Sequence, residues 1–114
     1  MINLPSAISA YVEAANAQDA ARVAAAFLPD AIAHDEGHVH RGRAEIAAWA
    51  EKSAREYGAI MAPLAIDRID GADGKDEHYA LRTEVSGSFP GSPITLTFHF
   101  ALQSNSIAAL EVKP

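Results

Sequence analysis

Apolar residues recur at Leu4, Ile8, Tyr11, Val12 and Ala15, a three- and four-residue spacing that gathers side chains on one face of a helix. Pro5 suits its first turn, and Asn16-Ala17-Gln18 interrupts the pattern. Asp19 then offers a carboxylate to the free amides of a new turn, and Val23 with Phe27 makes an i,i+4 apolar pair before Pro29 forbids continuation. A short second helix is expected. Asp30 to Asp35 alternates as a brief strand does, with Ala31, Ala33 and Asp35 on one face and Ile32, His34 and Glu36 on the other. Asp35 is the odd residue on a face of small side chains. Gly37 to Gly42 reads as a loop. Ile46, Trp49, Ala50, Ser53 and Tyr57 then mark a third and longest helix, with Glu45, Glu51, Lys52, Arg55 and Glu56 outward and Gly58 as its C-cap.

From Ile60 onward the period changes to two. Residues 60–69 read as a strand in which Pro63 indicates an edge or a bulge, and Gly71-Ala72-Asp73-Gly74 supplies turn chemistry. Tyr79, Leu81, Thr83 and Val85 alternate with Ala80, Arg82, Glu84 and Ser86. Beyond the connection Phe89-Pro90-Gly91-Ser92-Pro93, one face holds Ile94, Leu96, Phe98, Phe100 and Leu102 while the other holds Thr95, Thr97, His99 and Gln103. Ser104-Asn105-Ser106 turns this strand back into a last one, Ile107 to Val112. The pattern predicts one α+β domain over residues 1–114, with three N-terminal helices packed on a curved, mostly antiparallel sheet.

Composition narrows the function. The 114 residues are 49% hydrophobic and 21% charged, enough for one core, but only 7% are aromatic, so each bulky side chain is informative. A net charge of −6 without a cluster of Lys or Arg argues against a nucleic-acid partner. Without cysteine there is no disulfide, no thiolate nucleophile and no sulfur-ligated metal. The apolar stretch Ala20 to Ala33 is broken by Arg22 and Pro29-Asp30, short of the roughly 20 residues a membrane helix needs. Met1 to Pro5 lacks the basic and apolar regions of a secretory signal, so a cytoplasmic location is expected.

Three segments carry a family resemblance. Tyr11-Val12-Glu13-Ala14-Ala15-Asn16-Ala17-Gln18-Asp19 resembles the first-helix motif of ketosteroid isomerases. Phe27-Leu28-Pro29-Asp30-Ala31-Ile32-Ala33-His34-Asp35 resembles their next segment, which ends at the catalytic aspartate, and Gly42-Arg43-Ala44-Glu45-Ile46 looks like the glycine-led start of their third helix. With the order of elements, this is similar to the nuclear transport factor 2-like superfamily, which includes isomerases, SnoaL-like polyketide cyclases, hydrolases and non-enzymatic domains. The resemblance implies a cone-shaped fold, Asp35 as proton-transfer base, Tyr11 as hydrogen-bond donor to an oxyanion, and no cofactor. Phe98 departs from the pattern: it falls where ketosteroid isomerases have a protonated aspartate as second donor, which argues against steroid isomerisation as such. His99 would fill that role only if the register moved by one. The face bearing Thr95, Thr97, His99 and Gln103 is polar but weakly charged, of the sort that sheets in this superfamily bury against a twin, so a homodimer is expected.

Each candidate also has a plainer reading. A carboxylate in an apolar cavity gains a raised pKa and can accept and return a proton, whereas a solvated loop aspartate cannot. Tyr11 is either the donor or a core side chain. Trp49, Tyr57, Leu81, Thr83 and Phe98 would line a pocket for a small hydrophobic molecule, or simply pack the core. His34, His38 and His40 lie beside Asp35 and Glu36, but their spacing matches no helical two-histidine motif. A metal held by imidazole and carboxylate ligands is the lesser reading, and a mobile, solvated loop the expected one. The expected function is an isomerase or cyclase acting on a small molecule; the alternatives are a non-catalytic binding domain or a dimeric interaction domain.

Overall fold

A computed structural model describes residues 2–69 and 76–114, so the Gly71 to Gly74 turn lies outside the described residues. The elements run α1 (Ser6–Asn16), α2 (Ala20–Ala25), β1 (Phe27–Asp35), β2 (His38–Arg41), α3 (Gly42–Tyr57), β3 (Ile60–Ile69), β4 (Glu77–Ser86), β5 (Ile94–Gln103) and β6 (Ser106–Lys113). The chain is α+β, and its sheet has the order β2-β1-β6-β5-β4-β3. The β1–β6 pair is parallel and the other four are antiparallel.

Local chemistry explains most of these boundaries. Pro5 stands at the N-cap of α1. The Asp19 carboxylate accepts from the Arg22 amide at 3.1 Å and caps α2. Gly58 closes α3 at φ 55°, the left-handed conformation of a helix C-cap. Pro63 lies on the edge strand β3, beside a register shift between Pro63 and Ala65. There the missing N–H costs no ladder bond.

Two boundaries differ from the sequence reading. Phe27 does not extend α2; it opens β1, fully buried and paired with Ile107, whose amide donates to the Ala26 carbonyl at 3.0 Å. Pro29 is accommodated within that strand because the β1–β6 register shifts between Phe27 and Ile32. Within the segment expected as a loop from Gly37 to Gly42, His38–Arg41 instead forms strand β2, joined to β1 by a two-residue turn. Glu36 and Gly37 adopt φ 52° and 77°, and positive φ at both turn positions matches the twist of an antiparallel hairpin. The histidines expected in a mobile loop therefore sit on strands. His34 pairs with Val39, while His38 pairs with Asp35 and His40 with Ala33, so His34 faces away from the other two.

The core lies between the helices and the sheet face that carries Leu81, Phe98, Phe100 and Leu110, with Ile8, Tyr11 and Ile46 entering from above. A side-chain clamp fixes α1 against the far edge: Asn16 Nδ2 donates to the Met61 carbonyl at 3.0 Å and the Met61 amide donates to Asn16 Oδ1 at 2.7 Å. Gln18 Nε2 adds a bond to the Ala59 carbonyl at 3.0 Å. Residues that the pattern marks only as a helix end thus tie the helix to β3. On the opposite sheet face, Arg82, Thr97 and Lys113 share one row and Ala80, His99 and Glu111 the next. Among the described residues no helix is long and apolar enough to cross a membrane.

Candidate functional site

Helices and sheet part at one end of this core to leave a cavity of about 680 Å³. Five aromatic side chains reach its wall: Tyr11 from α1, Trp49 and Tyr57 from α3, Phe89 from the β4–β5 connection and Phe98 from β5. Asp35 reaches it from the end of β1. The cavity is thus a mostly apolar space with a few polar groups, the usual composition of a small-molecule site.

Tyr11 is only 4% exposed and is held by three rings. Phe27 and Phe100 meet it edge-on with centroids 5.9 and 5.5 Å away, and Phe98 is tilted at 6.3 Å. Among the described residues its hydroxyl has no protein hydrogen-bond partner, and it belongs to the cavity wall. Burial, and then the negative charge of Asp35, push the phenol far above its ordinary pKa. It stays a neutral donor at any physiological pH.

Asp35 is half-buried at the tip of the β1–β2 hairpin. Trp49 Nε1 donates to its Oδ2 at 3.1 Å. Burial raises its pKa, the indole bond lowers it, Glu36 raises it again, and His40 and the Glu36 amide lower it; the balance is upward. The carboxyl group therefore holds a proton more readily than a solvated aspartate does.

Trp49 is stacked on its other side by His40, at 5.6 Å and 25°. Tyr57 packs edge-on against Phe89 at 5.8 Å. The Phe89 placement depends on a close backbone approach: a Cβ on Gly87 would lie 2.6 Å from the Tyr57 carbonyl, and the Ser88 amide donates to that same carbonyl at 2.8 Å. Phe89 is a wall residue that periodicity misses; its one signal is a lone aromatic in a Pro- and Gly-rich connection.

Leu81 and Thr83 are both fully buried but do not reach the cavity. They fill the core beneath it, where Thr83 Oγ1 donates to the Leu81 carbonyl at 3.4 Å, and Val85 is the β4 residue on the wall. Phe98 occupies the wall near Tyr11, its ring stacked on Phe100 at 6.4 Å. His99 pairs with Ala80 and Glu111 on the outer face, so it does not enter the site. Among the described residues no three His, Asp or Glu side chains converge to hold a metal. The arrangement places the neutral Tyr11 phenol and the Asp35 carboxyl on the wall of one mostly apolar chamber.

Residues 8–108 match the SnoaL-like domain family. Among solved structures, a Sinorhizobium meliloti protein named "putative polyketide cyclase" is 34% identical with a TM-score of 0.86, over 96% of this chain and 95% of that one. The Orange Carotenoid Protein of Anabaena (Nostoc) sp. PCC 7120, which binds canthaxanthin, is 16% identical with a TM-score of 0.84, over 98% of this chain but 36% of its own. A Catenulispora acidiphila protein with a ketosteroid isomerase-like fold, in complex with trimethylamine, is 14% identical with a TM-score of 0.80, over 98% and 87%. The last two share the fold alone. No curated protein matches in sequence.

Proposed function

The chain belongs to the SnoaL-like family of the nuclear transport factor 2-like superfamily, and on that footing we propose that it is a small-molecule enzyme of isomerase or cyclase type. One observation carries the reading: Asp35 and Tyr11 stand on the wall of the same apolar cavity, one as proton acceptor and the other as neutral donor. Asp35 takes a proton from a carbon next to a carbonyl, the C–H electron pair moves into the enolate, and Tyr11 donates to the enolate oxygen. Return of the proton to another carbon completes an isomerisation; in a cyclisation the enolate carbon instead attacks a second carbonyl of the same molecule, the C=O π pair moves onto oxygen, and that alkoxide takes the proton back from Asp35. Neither asks for a cofactor. With Phe98 in place of a second donor, the site suits substrates that delocalise the enolate charge themselves, such as 1,3-dicarbonyl compounds. The likeness to the Sinorhizobium meliloti protein over the full domain supports the cyclase branch.

The test is Tyr11→Phe on a panel of enolisable ketones and polyketide-like 1,3-diketones. Losing one such donor lowers kcat by roughly 10²–10³-fold, and unchanged turnover would remove the phenol from the mechanism. The apolar ring of Phe98 also favours a second reading, a binding domain without chemistry. That reading prevails if native mass spectrometry finds a retained hydrophobic ligand while the wild type turns over nothing in the panel.

The outer face of the long strands, with Thr95, Thr97, His99 and Gln103, is proposed to pair with a second copy. Light scattering at micromolar concentration is expected to return about twice the 12.1 kDa chain mass. A monomer mass would reject the pairing.

A further inference from the structure

We propose that Trp49 and His40 are a positioning pair for Asp35: the indole N–H holds the carboxylate, and the stacked imidazole holds the indole. The proposal rests on Asp35 being the proton-transfer base. A base at the end of a strand can rotate about its side-chain bonds, whereas proton transfer needs the acceptor oxygen held within tenths of an ångström of its productive place. The 3.1 Å bond from Trp49 Nε1 to Oδ2 removes that freedom from one oxygen. Trp49 itself is only part-buried, and the ring of His40, 5.6 Å away and 25° from parallel, supplies the second surface that keeps the indole in place.

Three elements build this arrangement. In the β1–β2 hairpin, Asp35 pairs with His38 and Ala33 with His40, so all four side chains emerge on one face. Helix α3 crosses that face and brings Trp49 between His40 and Asp35. The charged and titratable groups around the carboxyl are Glu36 in the turn, His38 and His40 on β2, and Tyr11 from α1. Glu36 disfavours the ionised form, while the indole bond and the charge of His40 favour it. The pair therefore offsets part of the burial cost and keeps Asp35 available as an ionised base, a role that a wall residue would not have.

The chain has one tryptophan, so its indole N–H gives a single unambiguous NMR resonance. In the wild type that resonance is expected to move with pH at the same midpoint as the Asp35 carboxyl carbon, and Asp35→Asn is expected to abolish the movement. Trp49→Phe keeps a ring but removes the donor, and should displace the Asp35 midpoint upward. His40→Gln should displace it in the same direction and shift the indole ring signals. An indole resonance indifferent to Asp35 in the wild type would overturn the proposal without requiring any variant to fold. So would an unmoved Asp35 midpoint in folded Trp49→Phe, or a His40→Gln variant with neither change. None of these readouts uses a substrate. Loss of the coupling with Asp35 still essential for turnover removes the positioning pair alone, and intact coupling with full turnover in Asp35→Asn removes the catalytic reading alone.

Discussion

Asp35→Asn is expected to lower turnover by roughly 10²–10⁴-fold, the range for removing a positioned acid/base group, and to leave a protein that is more stable than the wild type at neutral pH. The two effects share a cause. Asparagine has nearly the same shape, and its carbonyl oxygen can still accept from Trp49 Nε1, so packing and the indole bond survive while proton transfer does not. On the stability side, the folded pKa of Asp35 lies above its unfolded value. The folded state then binds the proton more tightly, so this contribution to stability is fully present below the unfolded pKa of about 3.9. It is lost as pH rises through the folded pKa, beyond which the ionised, half-buried carboxylate is a constant cost. The variant has no such loss, and its advantage should open across that window. Urea titrations of both proteins below pH 4 and at pH 7 measure it. Equal stability at both pH values, together with unchanged turnover, would leave Asp35 a solvated turn aspartate.

The largest stability effect is expected at Phe27. Its side chain is 0% exposed, its backbone starts β1 opposite Ile107, and its ring meets Tyr11 edge-on. Replacing a fully buried phenylalanine by alanine costs about 3–5 kcal/mol, from lost transfer energy and the cavity left behind. That is a large share of the roughly 5–15 kcal/mol that separates a folded domain from its unfolded chain. Phe27→Ala should therefore lower the urea midpoint without changing the slope. Val39→Ala, at a position 42% exposed on β2, is the matched control and should stay within about 0.5 kcal/mol. Phe27→Ala should also loosen the Tyr11 ring, so turnover falls even where the variant remains folded. A stability loss no larger than that of the control would contradict the placement of Phe27 in the core.

Much of this molecule is legible in one dimension, because period and capping act within a few residues. The spacing of Leu4, Ile8, Tyr11 and Val12 builds α1, and the alternation from Ile94 to Leu102 builds β5, each from a pattern the chain carries locally. Asp35 stood out for the same reason: a carboxylate on a face otherwise occupied by Ala31 and Ala33. Strand β2 did not stand out, because an exposed edge strand of four residues, His38 to Arg41, has no buried face to impose an apolar alternation. Its existence depends on the Glu36-Gly37 turn and on pairing with β1.

What the tertiary structure alone decided is depth and convergence. Leu81, Thr83 and Val85 share one face of β4, and alternation cannot distinguish them, yet of the three only Val85 reaches the cavity while the other two are fully buried in the core. The bond from Trp49 to Asp35 joins residues 14 positions apart. It exists because α3 crosses the β1–β2 hairpin where it does. Phe89 enters the wall because Gly87 lets its loop approach the end of α3. Sequence by itself settled which side of each element is apolar, since that follows from backbone period. Where those sides leave a gap, and which polar groups meet across it, follows from the packing of elements distant in the chain, and no local pattern encodes that geometry.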